Sequence, residues 1–156
     1  MTLRAVFDCM VFLQGAARPA GPARACLRLA EAGKVTLCIS ASILAEVRDV
    51  LTRPKTQARF PLLTPAWVEE LLQGIVGKSL AIQHVPAAFA LERDPKDEPY
   101  INLAIAAAAK FLVTRDKDLL NLMSDSDFCQ RYPALSILDP VAFLKAVASD
   151  EAEGSP

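Results

Sequence analysis

Short unbroken apolar runs alternate along this chain with longer segments in which apolar residues return every three or four positions. The runs at 3–7 and 35–39 read as buried strands, the first stopping at Asp8. Residues 15–21, holding Gly15, Arg18, Pro19 and Gly21, read as a loop. From 22 to 32 the apolar positions 23, 26, 27 and 30 follow the helical period, and Gly33 is the stop. Ser40 or Ser42 caps the next helix, whose stripe is Ile43, Leu44, Val47, Val50 and Leu51 and which ends before Pro54. A third helix, 65–76, carries Val68, Leu71, Leu72 and Ile75 behind Thr64 as cap, with Pro65 at its first position.

Residues 79–84 give only a weak strand signal. The polar loop 91–99, which ends in RDPKDEP, opens a helix expected to run to about Lys110. A strand at 111–114, a short helix at 117–123, a strand at 135–138 and a closing helix at 140–147 complete a domain of residues 1–148. Residues 149–156 read as a frayed, flexible acidic tail. Strands alternating with helices predict an α/β layer fold around a mostly parallel sheet. Ligands of such sheets sit beyond the carboxyl ends of the strands, where Asp8 and Asp116 fall.

Composition narrows the chemistry. With 156 residues, 53% hydrophobic, and a net charge of −1, the chain can bury a core as one domain and is not a disordered polymer. The longest stretch without Asp, Glu, Lys or Arg is 79–91, too short to span a bilayer. Arg4 and Asp8 break the apolar segment near the N-terminus, so no signal peptide is read there and a cytoplasmic location is expected. One histidine, His84, excludes a paired-histidine zinc site within one chain. The glycines form no dinucleotide- or phosphate-binding loop, and the four cysteines are irregularly spaced, as free thiols in a reducing compartment are.

Carboxylates remain. Asp8 lies between two apolar runs, where an acid is costly unless it is paired, capping or coordinated. Glu46 falls on the flank of its helix beside Ile43, Val47 and Val50. Asp94, Asp97 and Glu98 crowd the loop before a helix, and Asp116 and Asp118 stand at the start of another; each has an ordinary use as a cap. Together they place acids at the ends of elements along one sheet edge. Carboxylates so gathered repel unless a cation compensates, and an oxygen-only donor set favours Mg²⁺ or Mn²⁺. Two such ions about 4 Å apart form the clamp used for in-line attack on phosphodiesters.

The pattern V-F-D, then Ser42-x-x-x-Glu46, then D-P-K-D-E-P with an Ala-rich helix, then L-V-T-R-D-K-D-L-L resembles the PIN-domain nucleases. It is most similar to the bacterial members regarded as toxins of toxin–antitoxin systems. The resemblance implies a three-layer α/β/α fold with a mostly parallel twisted central sheet. It implies catalytic, metal-ligating acids at Asp8, Glu46, Asp97 and Asp116, with Asp118 secondary and Glu98 the alternative to Asp97. Thr114 matches the family's Thr before the last acid, and Ser42 the small polar residue before the Glu. At its first motif the family usually has Asp-Thr-Asn or Asp-Ser-Asn, whereas this chain has Asp8-Cys9-Met10, which removes a hydroxyl and an amide from beside the ligands.

The implied activity is cleavage of single-stranded RNA by metal-activated water, with one or two Mg²⁺ or Mn²⁺ ions. The implied partners are an antitoxin protein and a second copy of the chain. Arg115 and Lys117 beside the site are candidate RNA contacts; Arg48, Arg53, Lys55 and Arg59 read rather as a solvated face. Trp67 and Tyr100 read as packing residues more than as base-stacking ones. The alternative function is a catalytically weak or inactive PIN-like module that binds RNA or protein, which the Cys9-Met10 departure favours. An aspartyl-phosphate enzyme would need a second Asp where Met10 stands.

Overall fold

The computed structural model describes residues 2–92 and 94–154. Five strands form one sheet: β1 (Leu3–Phe7), β2 (Val35–Ile39), β3 (Leu80–Ala81), β4 (Phe111–Val113) and β5 (Ser136–Leu138). Their order is β3-β2-β1-β4-β5 and every pairing is parallel, with Ala5 of β1 opposite both Leu37 and Phe111. As the central strand, β1 buries Ala5, Val6 and Phe7 almost completely, which is why its apolar run is continuous rather than alternating.

Right-handed crossovers fix the layers. From β1 to β2 to β3 the chain steps one way, so α1 (Cys9–Ala17), α2 (Pro22–Glu31), α3 (Ala41–Thr52), α4 (Pro54–Arg59) and α5 (Pro65–Val76) lie on one face. It then crosses back to β4 and on to β5, placing α6 (Glu98–Ala106), α7 (Lys117–Leu120) and α8 (Ser126–Arg131) on the other. The last helix, α9 (Pro140–Gly154), packs beside α2, and its Phe143 ring meets Phe7 at 5.7 Å and Phe111 at 5.3 Å. The direction of winding reverses between β1 and β4. Their carboxyl ends are tied there by the Asp8 N–H, which donates to Val113 O at 3.1 Å.

Several elements differ from the sequence expectation. Residues 15–17 belong to α1, not to a loop, and nearly all of α1 after Met10 is buried, so no polar face gives it a helical rhythm. Gly15, which suggested the loop, is required by close approach: a Cβ there would lie 2.5 Å from Leu27 Cδ1 of α2. The helix expected to reach about Lys110 stops at Ala106. Ala108 takes a left-handed φ of 51°, and the Ala109 N–H turns back to Ala104 O at 2.9 Å. The six-residue helices α4 and α8 are too short to show a period. The helix expected at 117–123 is α7 followed by a 3-10 turn at Asn121–Ser124. The strand at 79–84 shrinks to Leu80–Ala81, and α9 continues past 147 to Gly154; residues 155–156 of the expected tail lie outside the described residues.

Of the two candidate caps for α3, Ser40 accepts from Ile43 N–H at 3.2 Å, while Ser42 is exposed with its hydroxyl 3.4 Å from that of Ser40. All four cysteines are free. Among the described residues no helix is long and apolar enough to cross a membrane.

Candidate active site

At the reversal between β1 and β4 a cleft of about 200 Å³ is lined by Asp8, Met10, Gln14, Asp97, Arg115 and Asp116. Asp8 is its floor. The chain leaves β1 at full burial, and the Asp8 carboxylate caps α1 by accepting from Val11 N–H at 3.0 Å. Its other oxygen accepts the hydroxyl of Thr114, a fully buried residue one step beyond β4. Burial pushes the Asp8 carboxyl above its usual range; the bonds from Thr114 and Val11 oppose that shift, and the charge on Asp116 adds to it. Thr114 Oγ1 in turn accepts the N–H of Asp116 at 3.0 Å. One threonine therefore sets two acids on neighbouring strands. Asp116 also caps α7, through Leu119 N–H at 3.1 Å.

Asp97 behaves differently. It occupies the N-cap position of α6 yet makes no capping bond, so the ordinary use of an acid at a helix start does not account for it. Its carboxylate instead belongs to a group with Asp94 and Asp116, one oxygen from each lying within 4.8 Å of the others. Burial first, and then the charges of Asp116 and Asp94, push the Asp97 carboxyl up to about 7. Three half-buried carboxylates facing one another, with an acid held partly protonated at neutral pH, are a donor set that a hard divalent cation fits. Among the described residues no sulfur or nitrogen donor joins them, which disfavours zinc.

Asp94 is the member that sequence reasoning left without a role. It was visible as one more acid of the polar loop, but only the 3-10 turn Pro95–Asp97 shows that it curls back toward Asp97. Glu98, the alternative to Asp97, is turned away: its Oε1 accepts from Leu91 N–H at 2.9 Å and closes the loop. Glu46 does not line the cleft. It is exposed on α3, and Oε1 accepts the hydroxyl of the buried Tyr100 at 3.1 Å. Cys9 lies among Asp8, Glu46 and Tyr100, and burial first, then Glu46 and Asp8, push its thiol up to about 12, which leaves it unreactive. Asp118 opens onto a neighbouring cleft with Leu91, Glu92, Asn121 and Asp125.

Of the candidate cations, Arg115 lines the acidic cleft, and Lys117 is exposed on the first turn of α7. The three arginines of the second group are occupied elsewhere. Arg48 pairs with Glu69, Arg53 with Asp49 at 2.7 Å, and Arg59 stacks on Phe60 at 5.2 Å. Trp67 donates Nε1–H to Ala16 O at 3.0 Å and carries the Arg24 guanidinium over its ring, a packing role like that of Tyr100.

The sequence profile of the PIN domain matches residues 4–118, from β1 into the start of α7, and so includes the candidate site acids from Asp8 to Asp118. Among curated proteins, none matches the chain in sequence. A solved structure with a similar fold is the crystal structure of PAE2754 from Pyrobaculum aerophilum. The two share 18% identity at a TM-score of 0.58, over 94% of this chain and 90% of that one.

Proposed function

The chain belongs to the PIN domain family, whose members are typically nucleases, and from that premise we propose that it is a divalent-metal-dependent endoribonuclease that cleaves single-stranded RNA, acting as the toxin of a toxin–antitoxin pair. The observation that carries the catalytic part is the Asp94–Asp97–Asp116 group, in which Asp97 sits at a helix start without capping it. Asp97, Asp116 and Asp94 would hold Mg²⁺ or Mn²⁺, with Asp8 beneath them. An ion held there would supply charge neutralisation at the phosphate oxygens and a lowered water pKa, so that hydroxide is available as the nucleophile.

The protein's own part is preorganisation. Thr114 and Val11 N–H keep the Asp8 carboxylate in one orientation, and Thr114 fixes the backbone of Asp116 at the same time. Burial and the charges of Asp116 and Asp94 push the Asp97 carboxyl up to about 7, a repulsion that a cation held by these acids would relieve. Arg115 on the cleft wall supplies the positive charge that an RNA phosphate requires in an otherwise acidic hollow. Glu46 and Asp118 act from the rim, through water. A homodimer, an antitoxin covering the cleft and a cytoplasmic location belong to the same proposal and rest on the family resemblance.

Titration calorimetry with Mn²⁺ on the wild type, Asp8→Asn and Asp116→Asn, with circular dichroism as a folding control, tests the site without a guess at the RNA. Saturable binding lost in both folded variants, followed by RNA cleavage in Mn²⁺ but not in EDTA, is expected. A folded wild type that binds no Mn²⁺ favours the second reading, an inactive PIN-like module that binds RNA or protein. Met10 supports that reading, because it puts a thioether on the cleft wall where an amide would serve a metal site better.

A further inference from the structure

We propose that Glu98 and Asn102 are positioning residues of the metal site: they clamp the segment that follows β3 along α6 and so hold Asp94 where it faces Asp97. The inference rests on the metal-dependent reading of the cleft. It gives a part in building that site to two residues that neither line the cleft nor join the acidic group.

The need for a clamp follows from the length of chain without regular structure. After β3 the Ile82 N–H still reaches Ile39 O of β2 at 2.9 Å, and the next element begins only at Pro95. Among the described residues between them there is no helix or strand. So long a connection is unusual in a compact domain, and its backbone N–H groups have no ladder to satisfy them. Here α6 supplies the acceptors. Asn102, a buried residue, accepts at Oδ1 from Ala88 N–H at 3.1 Å and from Phe89 N–H at 2.9 Å. One turn earlier, Glu98 Oε1 accepts from Leu91 N–H at 2.9 Å. Residues four apart share a helix face, so the segment is gripped twice along one side of α6. Packing completes the grip: Leu91 is buried, and the Phe89 ring meets Phe128 of α8 edge-on at 5.2 Å.

The consequence for the site is geometric. Asp94 comes three residues after the clamped Leu91, and the Asp97 N–H donates to Asp94 O at 3.1 Å, closing the 3-10 turn. That turn is held from both sides, by α6 after it and by the Glu98–Leu91 bond before it. Like charges oppose the arrangement, because Asp94 and Asp116 both face Asp97. An apolar segment with no clamp would let the Asp94 carboxylate move away from the other two. Glu98 suits the task, since a carboxylate in the first turn of α6 is favoured by the positive end of the helix. Asp97 and both clamp residues sit on one rigid element, so the ligand and the support of its neighbour stay in register.

The test joins Mn²⁺ titration calorimetry to amide hydrogen exchange on Glu98→Ala, Glu98→Gln and Asn102→Leu, with the two Glu98 variants also placed in an Asp94→Asn background. Glu98→Ala and Asn102→Leu are expected to speed exchange at the amides of 88, 89 and 91 and to raise the Mn²⁺ dissociation constant by about tenfold. Glu98→Gln keeps an acceptor for Leu91 N–H and is expected to restore slow exchange and a dissociation constant close to that of the wild type. In the Asp94→Asn background Glu98→Ala is expected to cost no further Mn²⁺ affinity, because its effect runs through Asp94. Should Asn102→Leu not fold, the Glu98 pair carries the test alone. Faster exchange in Glu98→Ala with unchanged Mn²⁺ affinity overturns the positioning role and leaves the metal site standing. Equal losses of affinity in Glu98→Ala and Glu98→Gln overturn it in favour of Glu98 acting through its charge. Losses that add to that of Asp94→Asn overturn it as well, since a general loosening of the fold would behave so. A folded wild type that binds no Mn²⁺ overturns the metal-dependent reading, and the positioning role with it.

Discussion

The buried hydroxyl of Thr114 donates to the carboxylate of Asp8 across two neighbouring parallel strands. Its oxygen also takes the N–H of Asp116, so the spacing of the two acids is set by a side chain that is itself wholly inaccessible to solvent. Thr114→Val keeps the shape and removes the donor. It is expected to destabilise the fold by about 1.5–3 kcal/mol, because a buried carboxylate loses a hydrogen bond, and to weaken Mn²⁺ binding. Urea denaturation and calorimetry on the one variant check both. Thr114→Ser, which keeps the hydroxyl, should retain most of the metal affinity.

Asp97 makes stability depend on pH in a defined direction. Its carboxyl titrates near 3.8 in the unfolded chain and at about 7 in the fold, so between those values the folded state holds the additional proton. Stability is therefore expected to fall as pH rises through that window, and more steeply in EDTA than in Mg²⁺, since a bound cation takes over from the proton. Urea midpoints measured at pH 5.5 and pH 8, with and without Mg²⁺, test this. Asp97→Asn should flatten the EDTA profile; if it leaves the slope unchanged, the acidic group is not the source.

Gly15 tests the contact between α1 and α2. A methyl group there meets Leu27 Cδ1 at 2.5 Å and Ala23 O at 3.0 Å, and Ala23 O belongs to backbone that cannot swing away. Gly15→Ala is expected to cost about 1–3 kcal/mol despite the better helix propensity of alanine. A thermal midpoint equal to or above that of the wild type would show that the two helices slide apart freely.

Strands and amphipathic helices were legible because each buries one side or both. The run at 3–7, the stripe of α3 and the Thr64–Pro65 start of α5 each carry a local signal that tertiary structure did not override. The helix α1 was not legible, since it is buried nearly all round and contains a glycine demanded by a neighbour distant in sequence. The run of alanines after α6 has high helix propensity, yet Lys110 N–H must reach Arg4 O to enter the sheet, and the helix ends early. Among the acids, position in the sequence could place Asp8 and Asp116 at strand ends. It could not show that Glu98 faces the backbone of Leu91 while Asp94 faces Asp97, because a one-residue shift at a helix start turns a side chain by about 100°.

The different placement of Asp94 and Glu46 yields the last prediction. The family resemblance assigns the fourth acid to Glu46, but in this chain the Tyr100 hydroxyl holds it outside the cleft, while Asp94 offers an oxygen within 4.8 Å of those of Asp97 and Asp116. If the cation is held where those three converge, Asp94→Asn removes one of its charged donors and raises the metal dissociation constant about tenfold or more. Glu46→Gln keeps an acceptor for Tyr100 and changes the same constant by a smaller factor. Removing the tether with Tyr100→Phe frees Glu46 to turn, so its loss in the double variant should then matter more than in the single one. Mn²⁺ calorimetry on the three single variants and the Tyr100→Phe/Glu46→Gln pair measures that coupling. A larger effect of Glu46→Gln than of Asp94→Asn in the wild-type background would instead place the cation on the α3 side, between Glu46 and Asp8.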